Sequence, residues 1–119
     1  MVGVTDRRIA RVVAEIEEQP AAPPRIAELA RGVGLGVSRL EHLFRQHARI
    51  SIRDYIRERR LNAAAKLLLS TDDRISAICF HVGFRDVANF NHAFKKFFGV
   101  SPRQYRLRDV HHTTAETTK

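Results

Sequence analysis

Few side chains in this sequence have the type and spacing to do chemistry. Cys79 is the lone cysteine, so an internal disulfide cannot form, and a zinc site needs several Cys or His ligands at short spacing. It reads as a reduced thiol packed in the core. Cys79-Phe80-His81 puts a thiol and an imidazole two residues apart, but on a helix such residues point to different sides and cannot work as nucleophile and base. His42 and His92 stand fifty residues apart in separate segments, and neither has a second ligand nearby, so no metal is expected. The sequence shows no phosphate-cradling glycine loop after a strand and no cluster of carboxylates of the kind a catalytic cleft needs. An enzyme is therefore not expected, nor is a cofactor.

Recognition chemistry remains. The chain carries 21 Lys and Arg against 13 Asp and Glu, a net charge of +8. The excess is uneven: residues 1–38 hold five basic and five acidic side chains, 39–70 hold eight and three, and 71–119 hold eight and five. Such a bias suits a polyanion, because Lys and Arg that neutralise phosphates release condensed counterions. A basic balance alone also fits a membrane-surface role or plain solubility. With 119 residues and 44% apolar content, one domain with a continuous core is expected. No apolar run reaches the roughly 18 residues a membrane span needs, and Met1 to Glu18 lacks the apolar stretch of a secretory signal. A cytoplasmic, nucleoid-associated protein without a membrane partner is expected.

The elements that must position these side chains are all helical. Ile9, Val12, Val13 and Ile16 fall on one helix face, with Thr5 or Asp6 placed to cap it. Pro24 suits the first position of a second helix, about Arg25 to Arg31. Glycines at 32, 34 and 36 break the period, and Leu40, Leu43 and Phe44 restart it in a helix from about Val37 to Gln46. Ile52 to Leu69 contains neither Pro nor Gly, which predicts a spine of roughly 18 residues and about 27 Å. Thr71 and Asp72 offer capping oxygens to a short helix holding Ile75, Ile78 and Cys79, ended by Gly83. Asp86 caps a helix through Phe98, with Phe90, Ala93, Phe94 and Phe97 expected inward and Gly99 as its stop. Ser101-Pro102 opens a last helix to about Leu107, and 109–119 reads as a flexible polar tail.

An internal repeat decides the architecture. At an offset of 49, Ile26, Leu29, Val33, Gly34 and Leu35 pair with Ile75, Ile78, Val82, Gly83 and Phe84. One extra residue in the second turn makes the offset 50, which pairs Leu40 with Phe90, His42 with His92, Phe44 with Phe94, Arg45 with Lys95, Ser51 with Ser101, Arg53 with Arg103 and Tyr55 with Tyr105. Two copies are too few for a solenoid. Each copy is a short helix, a glycine turn and a second helix with basic residues outward, which is the outline of a DNA-reading helix-turn-helix.

On these residues the sequence resembles the AraC/XylS family of transcription regulators, from roughly Ile9 to Arg106. The second copy carries the stronger match, in Ile75 through Phe84, Asp86, Phe90, Ala93 to Lys96, Phe98 to Pro102, Tyr105 and Arg106. The first adds Ile26 to Ala30, Gly34, Leu35, Leu43, Phe44 and a long helix with Tyr55, Arg59, Arg60 and Leu61. The resemblance implies an all-α fold of about seven helices, two helix-turn-helix subdomains joined by a long central helix. Its expected bounds are 5–108 for the DNA-binding domain, with motifs at about 25–46 and 73–98 and a linker helix at about 52–69. It also implies a monomeric DNA-binding unit, duplex DNA and RNA polymerase as partners, and an activating role. Two departures stand out: histidine replaces the family's frequent Arg at 42 and 92, and Gly36-Val37-Ser38 replaces the usual Ser cap and Pro.

Base contacts are expected from Ser38, Arg39, Glu41 and His42 in the first copy, and from Val87, Ala88, Asn91 and His92 in the second. These lie opposite Leu40/Phe44 and Phe90/Phe94. Val87 and Ala88 suit thymine methyls, Asn91 suits adenine, and Glu41 can accept from cytosine N4 while repelling phosphate. Arg45, Arg85, Lys95 and Lys96 are placed for phosphates, which position rather than specify. The plain alternative for each is a solvated helix face. Phe44, Phe90, Phe94 and Phe97 read as core rather than as a stacking platform for single strands. Arg57, Arg59 and Arg60 read as a solvated or salt-bridged helix edge, with Arg59 and Arg60 able to pin the two halves together. Because histidine as a residue type titrates near pH 6.5, DNA affinity is expected to rise as pH falls from about 8 to 6. A spine of about 27 Å falls short of the roughly 34 Å turn of straight DNA, so binding is expected either to bend the duplex or to leave one motif partly undocked. The rival function is a helical protein-protein adaptor that uses the same motifs without reading DNA.

Overall fold

The computed structural model describes residues 6–108. Among them every regular element is a helix: α1 Arg7–Glu18, α2 Ile26–Gly32, α3 Val37–Ala48, α4 Ile52–Ser70, α5 Ile75–His81, α6 Val87–Phe98, and α7 over 102–108. The fold is all-α, with helix-turn-helix pairs α2–α3 and α5–α6 and the long α4 between them in the chain. Two compact units divide inside α4, between Arg59 and Arg60. Thr5 and the tail at 109–119 lie outside the described residues.

In the first unit Asp6 caps α1, its carboxylate accepting from the Arg8 N–H at 2.8 Å. The Arg8 guanidinium also binds that carboxylate at 2.9 Å and holds it at about 2, below its ordinary 3.8. Ile9, Val12 and Ile16 are wholly buried and join Leu29, Ala30, Leu40, Phe44, Ile52 and Tyr55 in one core. Each such aliphatic side chain contributes about 1.5–3 kcal/mol by leaving water. Tyr55 donates its hydroxyl to Glu17 of α1, and burial, then this bond, raises the phenol above its ordinary range. Arg59 reaches the same Glu17 at 3.7 Å and lies 5.5 Å over the Tyr55 ring. Arg59 was expected to pin the two halves together, yet both of these partners belong to its own unit. Its spacing from Tyr55, four residues along α4, brings ring and guanidinium together on one helix face.

The second core gathers Leu61, Ala64, Ala65, Leu68, Ile78, Cys79, Val82, Phe90 and Phe94. Phe97, expected inward, is 43% exposed. Phe98 takes the inward place instead, 4.5 Å from Phe94 and 5.2 Å from Tyr105, and Phe97 packs its edge against Phe98 from outside. Thr71 and Asp72 do not cap α5, whose N-cap is Arg74 with no side-chain bond. Thr71 finishes α4 instead: its hydroxyl donates to the Leu67 carbonyl at 2.8 Å. Arg106 then secures the segment between α4 and α5, donating to the carbonyls of Leu68, Asp73 and Thr71 at 2.9, 2.8 and 3.0 Å.

The sequence repeat is a repeat of backbone. The bounds of α2 and α5 differ by 49 at both ends, and those of α3 and α6 by 50. In the first turn Gly34 N–H donates to Arg31 O and Leu35 N–H to Ala30 O; in the second, Gly83 N–H donates to Phe80 O and Phe84 N–H to Cys79 O. Gly34 and Gly83 both take positive φ, 74° and 108°, a region costly to residues with a Cβ. The Ser51 hydroxyl accepts from the Asp54 N–H as Ser101 does from Gln104, each at 3.1 Å. The edge-on pair Phe44–Tyr55 at 5.6 Å recurs as Phe94–Tyr105 at 5.4 Å. The start of α4 corresponds to α7 at the offset of 50, and its later turns correspond to α1 at an offset of 52, which pairs Ile9, Val12, Val13 and Ile16 with Leu61, Ala64, Ala65 and Leu68. One helix thus serves in two cores, giving Ile52 and Tyr55 to the first and Leu61, Ala64, Ala65 and Leu68 to the second.

Candidate nucleic-acid interface

α3 and α6 are each 12 residues long, and each is fastened by its inner face, Leu40 and Phe44 in one and Phe90 and Phe94 in the other. The opposite faces are open. Ser38, Arg39, His42 and Arg45 are exposed on α3, with Glu41 half-buried. On α6 Ala88, Asn91, His92, Lys95 and Lys96 are exposed, Val87 is half-buried, and Arg85 is exposed just before the helix. The entries to the two helices differ. Asp86 caps α6 by accepting the Asn89 N–H at 2.9 Å, whereas Gly36 begins α3 without a side-chain cap.

Part of this set surrounds a single feature. In the second unit an open cleft of about 490 Å³ is lined by Val87, Asn91, His92 and Lys95 of α6, Ile75 and Ser76 of α5, and Ser101, Pro102 and Arg103 at the start of α7. Val87, Asn91 and Lys95 follow one another at four-residue steps, so they form one stripe along the helix. Ala88, Arg85 and Lys96 are not among the lining residues. Lys95 and Arg103 make the cleft cationic, and it has no acidic lining residue. Ile75, Ser76, Ser101, Pro102 and Arg103 are the members not expected as site residues. A signal for Arg103 did exist, since Arg53 and Arg103 are matched in the repeat.

Electrostatics sharpen the picture around the second turn. Burial, and then the positive charge of Arg85, lowers Arg60 below its ordinary value. Cys79 is fully buried, and burial followed by the Asp86 carboxylate pushes its thiol up, which disfavours the reactive thiolate. Among the described residues no group of three or more His, Cys, Asp or Glu is placed to hold a metal, and no helix is long and apolar enough to cross a membrane.

Two braced wedges, each turning a cationic polar face outward, define a DNA-binding protein of the helix-turn-helix class. A family model described as a helix-turn-helix domain matches residues 29–108. The arabinose operon regulatory protein of Escherichia coli K12 is 41% identical over 81 residues, 68% of this chain and 28% of that protein. The transcriptional activator RhaS of Escherichia fergusonii is 31% identical over 102 residues, 86% of this chain and 37% of that protein. The crystal structure of an AraC-type transcriptional regulator from Chromobacterium violaceum superposes with a TM-score of 0.79 at 29% identity, covering 85% of this chain and 90% of that one. The chain belongs to the AraC/XylS family of transcription regulators. It spans less than two fifths of the length of these two curated relatives.

Proposed function

We propose that the chain reads duplex DNA with α3 and α6, each laid by its outer face into a segment of major groove, and that residues 5–108 act as the DNA-binding unit. Ser38, Arg39, Glu41 and His42 meet base edges in one segment; Val87, Ala88, Asn91 and His92 do so in the other. Arg45, Arg85, Lys95 and Lys96 bind phosphates and fix the register. The observation that carries this reading is the recurrence, at one offset, of Val37/Val87, His42/His92 and Arg45/Lys95 on the open faces of two identically braced helices. A protein adaptor has no need to repeat a cationic stripe in that way, whereas a groove lined by phosphates rewards it.

The unit binds as a monomer, because each chain supplies both reading helices. The RhaS relative is a transcriptional activator, which supports an activating role here, with RNA polymerase as the partner that such a role would engage. With DNA as its ligand, the protein would work in the cytoplasm with the nucleoid. A salt titration of duplex binding tests the reading. Six to ten phosphate contacts give a log–log slope of about −5 to −9, and a slope near zero would leave only the adaptor.

A further inference from the structure

We infer that positions 41 and 91 help make the two half-sites unlike, Glu41 selecting cytosine and Asn91 selecting adenine at equivalent places in the two footprints. This rests on the reading above. The two helices have the same length, follow the same glycine turn and are fastened by equivalent residues. Docked alike, they present equivalent side chains to equivalent base pairs. Along the stripe that lines the cleft in the second unit, Val87 matches Val37, His92 matches His42, and Lys95 matches Arg45 with its charge kept. Asn91 alone on that stripe changes chemical class, to Glu41. It lies one turn beyond the valine and one turn before the cation, at the middle of the reading face.

The chemistry of the pair differs in kind. A carboxylate only accepts, so in the major groove it bonds the cytosine N4 amino group and is repelled by the acceptors O6 and N7 of guanine and O4 of thymine. A carboxamide both donates and accepts, so it bonds adenine at N6 and N7 together. Glu41 also stands among Arg39, His42 and Arg45, on a face whose charge would otherwise favour phosphate throughout. Among the described residues no ion pair engages its carboxylate. An acidic side chain held by no structural partner weakens phosphate attraction, and base selection is the return for that loss.

The test is selection of binding sites from a random duplex library by the unaltered chain, by Glu41→Asn and by Asn91→Glu, with circular dichroism to check folding. The unaltered chain should enrich two half-sites that differ at the base pair facing positions 41 and 91, C in one and A in the other. Glu41→Asn should convert C to A in one half-site and leave the other unchanged, while Asn91→Glu should do the reverse. Glu41→Gln, close in size, serves as a second variant and should lose the cytosine preference by about tenfold. Enriched sites whose bases stay the same in all three variants would overturn this assignment while leaving DNA reading intact. If the unaltered chain enriches no sequence, DNA reading itself fails and the assignment falls with it.

Discussion

Arg49 ends α3 at φ 68°, where Gly99 ends α6 at φ 84°. An L side chain in that left-handed region costs roughly 1–2 kcal/mol, partly offset because glycine has more freedom to lose on folding. Arg49→Gly should therefore stabilise the protein by about 0.5–1 kcal/mol, read as a rise in the denaturation midpoint. A fall would show that the Arg49 side chain makes a compensating contact. Not every residue of the site was legible in the same way. His42, His92, Arg45 and Lys95 stood out because the repeat pairs them, and all four are exposed. Arg103 went unassigned although the repeat pairs it with Arg53, because nothing in one dimension shows that the start of α7 borders the face of α6. Only the folded unit brings Arg103, Ser76 and Asn91 around one cleft.

Helix ends follow local chemistry, and there the sequence was most informative. Asp86 and Gly99 bracket α6 as expected, over Val87–Phe98, because a capping carboxylate and a left-handed stop act over one turn. Contacts between distant residues carried no such signal. The Tyr55–Glu17 bond spans 38 positions, and the Arg106 bond to Thr71 spans 35, so neither follows from spacing along a helix. The same distance in sequence explains Phe97 and Phe98: which ring turns inward depends on Tyr105 of α7, not on the period of α6. The cap of α1 yields a pH dependence. Its Asp6 carboxyl is held at about 2 by Arg8, below an ordinary 3.8. The ionised form is therefore favoured by folding: its stabilisation is complete above about pH 4 and is lost as pH falls toward 2. Helicity followed by circular dichroism over that range should fall more in the unaltered chain than in Asp6→Asn. Equal titrations would show that the Asp6–Arg8 pair does not matter in solution.

The molecule as a whole is a module used twice, and one element makes that economical. α4 supplies the closing helix of the first unit and the opening helix of the second, so among the described residues two four-helix cores need seven helices instead of eight. The duplication was legible because it preserves residue types at offsets of 49 and 50. The doubled role of α4 was not, since Ile52 and Tyr55 face one core and Leu61, Ala64, Ala65 and Leu68 another, leaving no single apolar stripe to recognise. For function, the consequence is that both open helices should contribute to binding. The most direct measurement is the affinity for one enriched duplex, at fixed salt, of the unaltered chain and of two paired variants, His42→Ala with Arg45→Ala and His92→Ala with Lys95→Ala. Each pair should weaken binding by tenfold or more, about 1.4 kcal/mol, while the fold stays intact. A pair that binds as tightly as the unaltered chain would show that its helix does not touch the DNA, which contradicts double engagement.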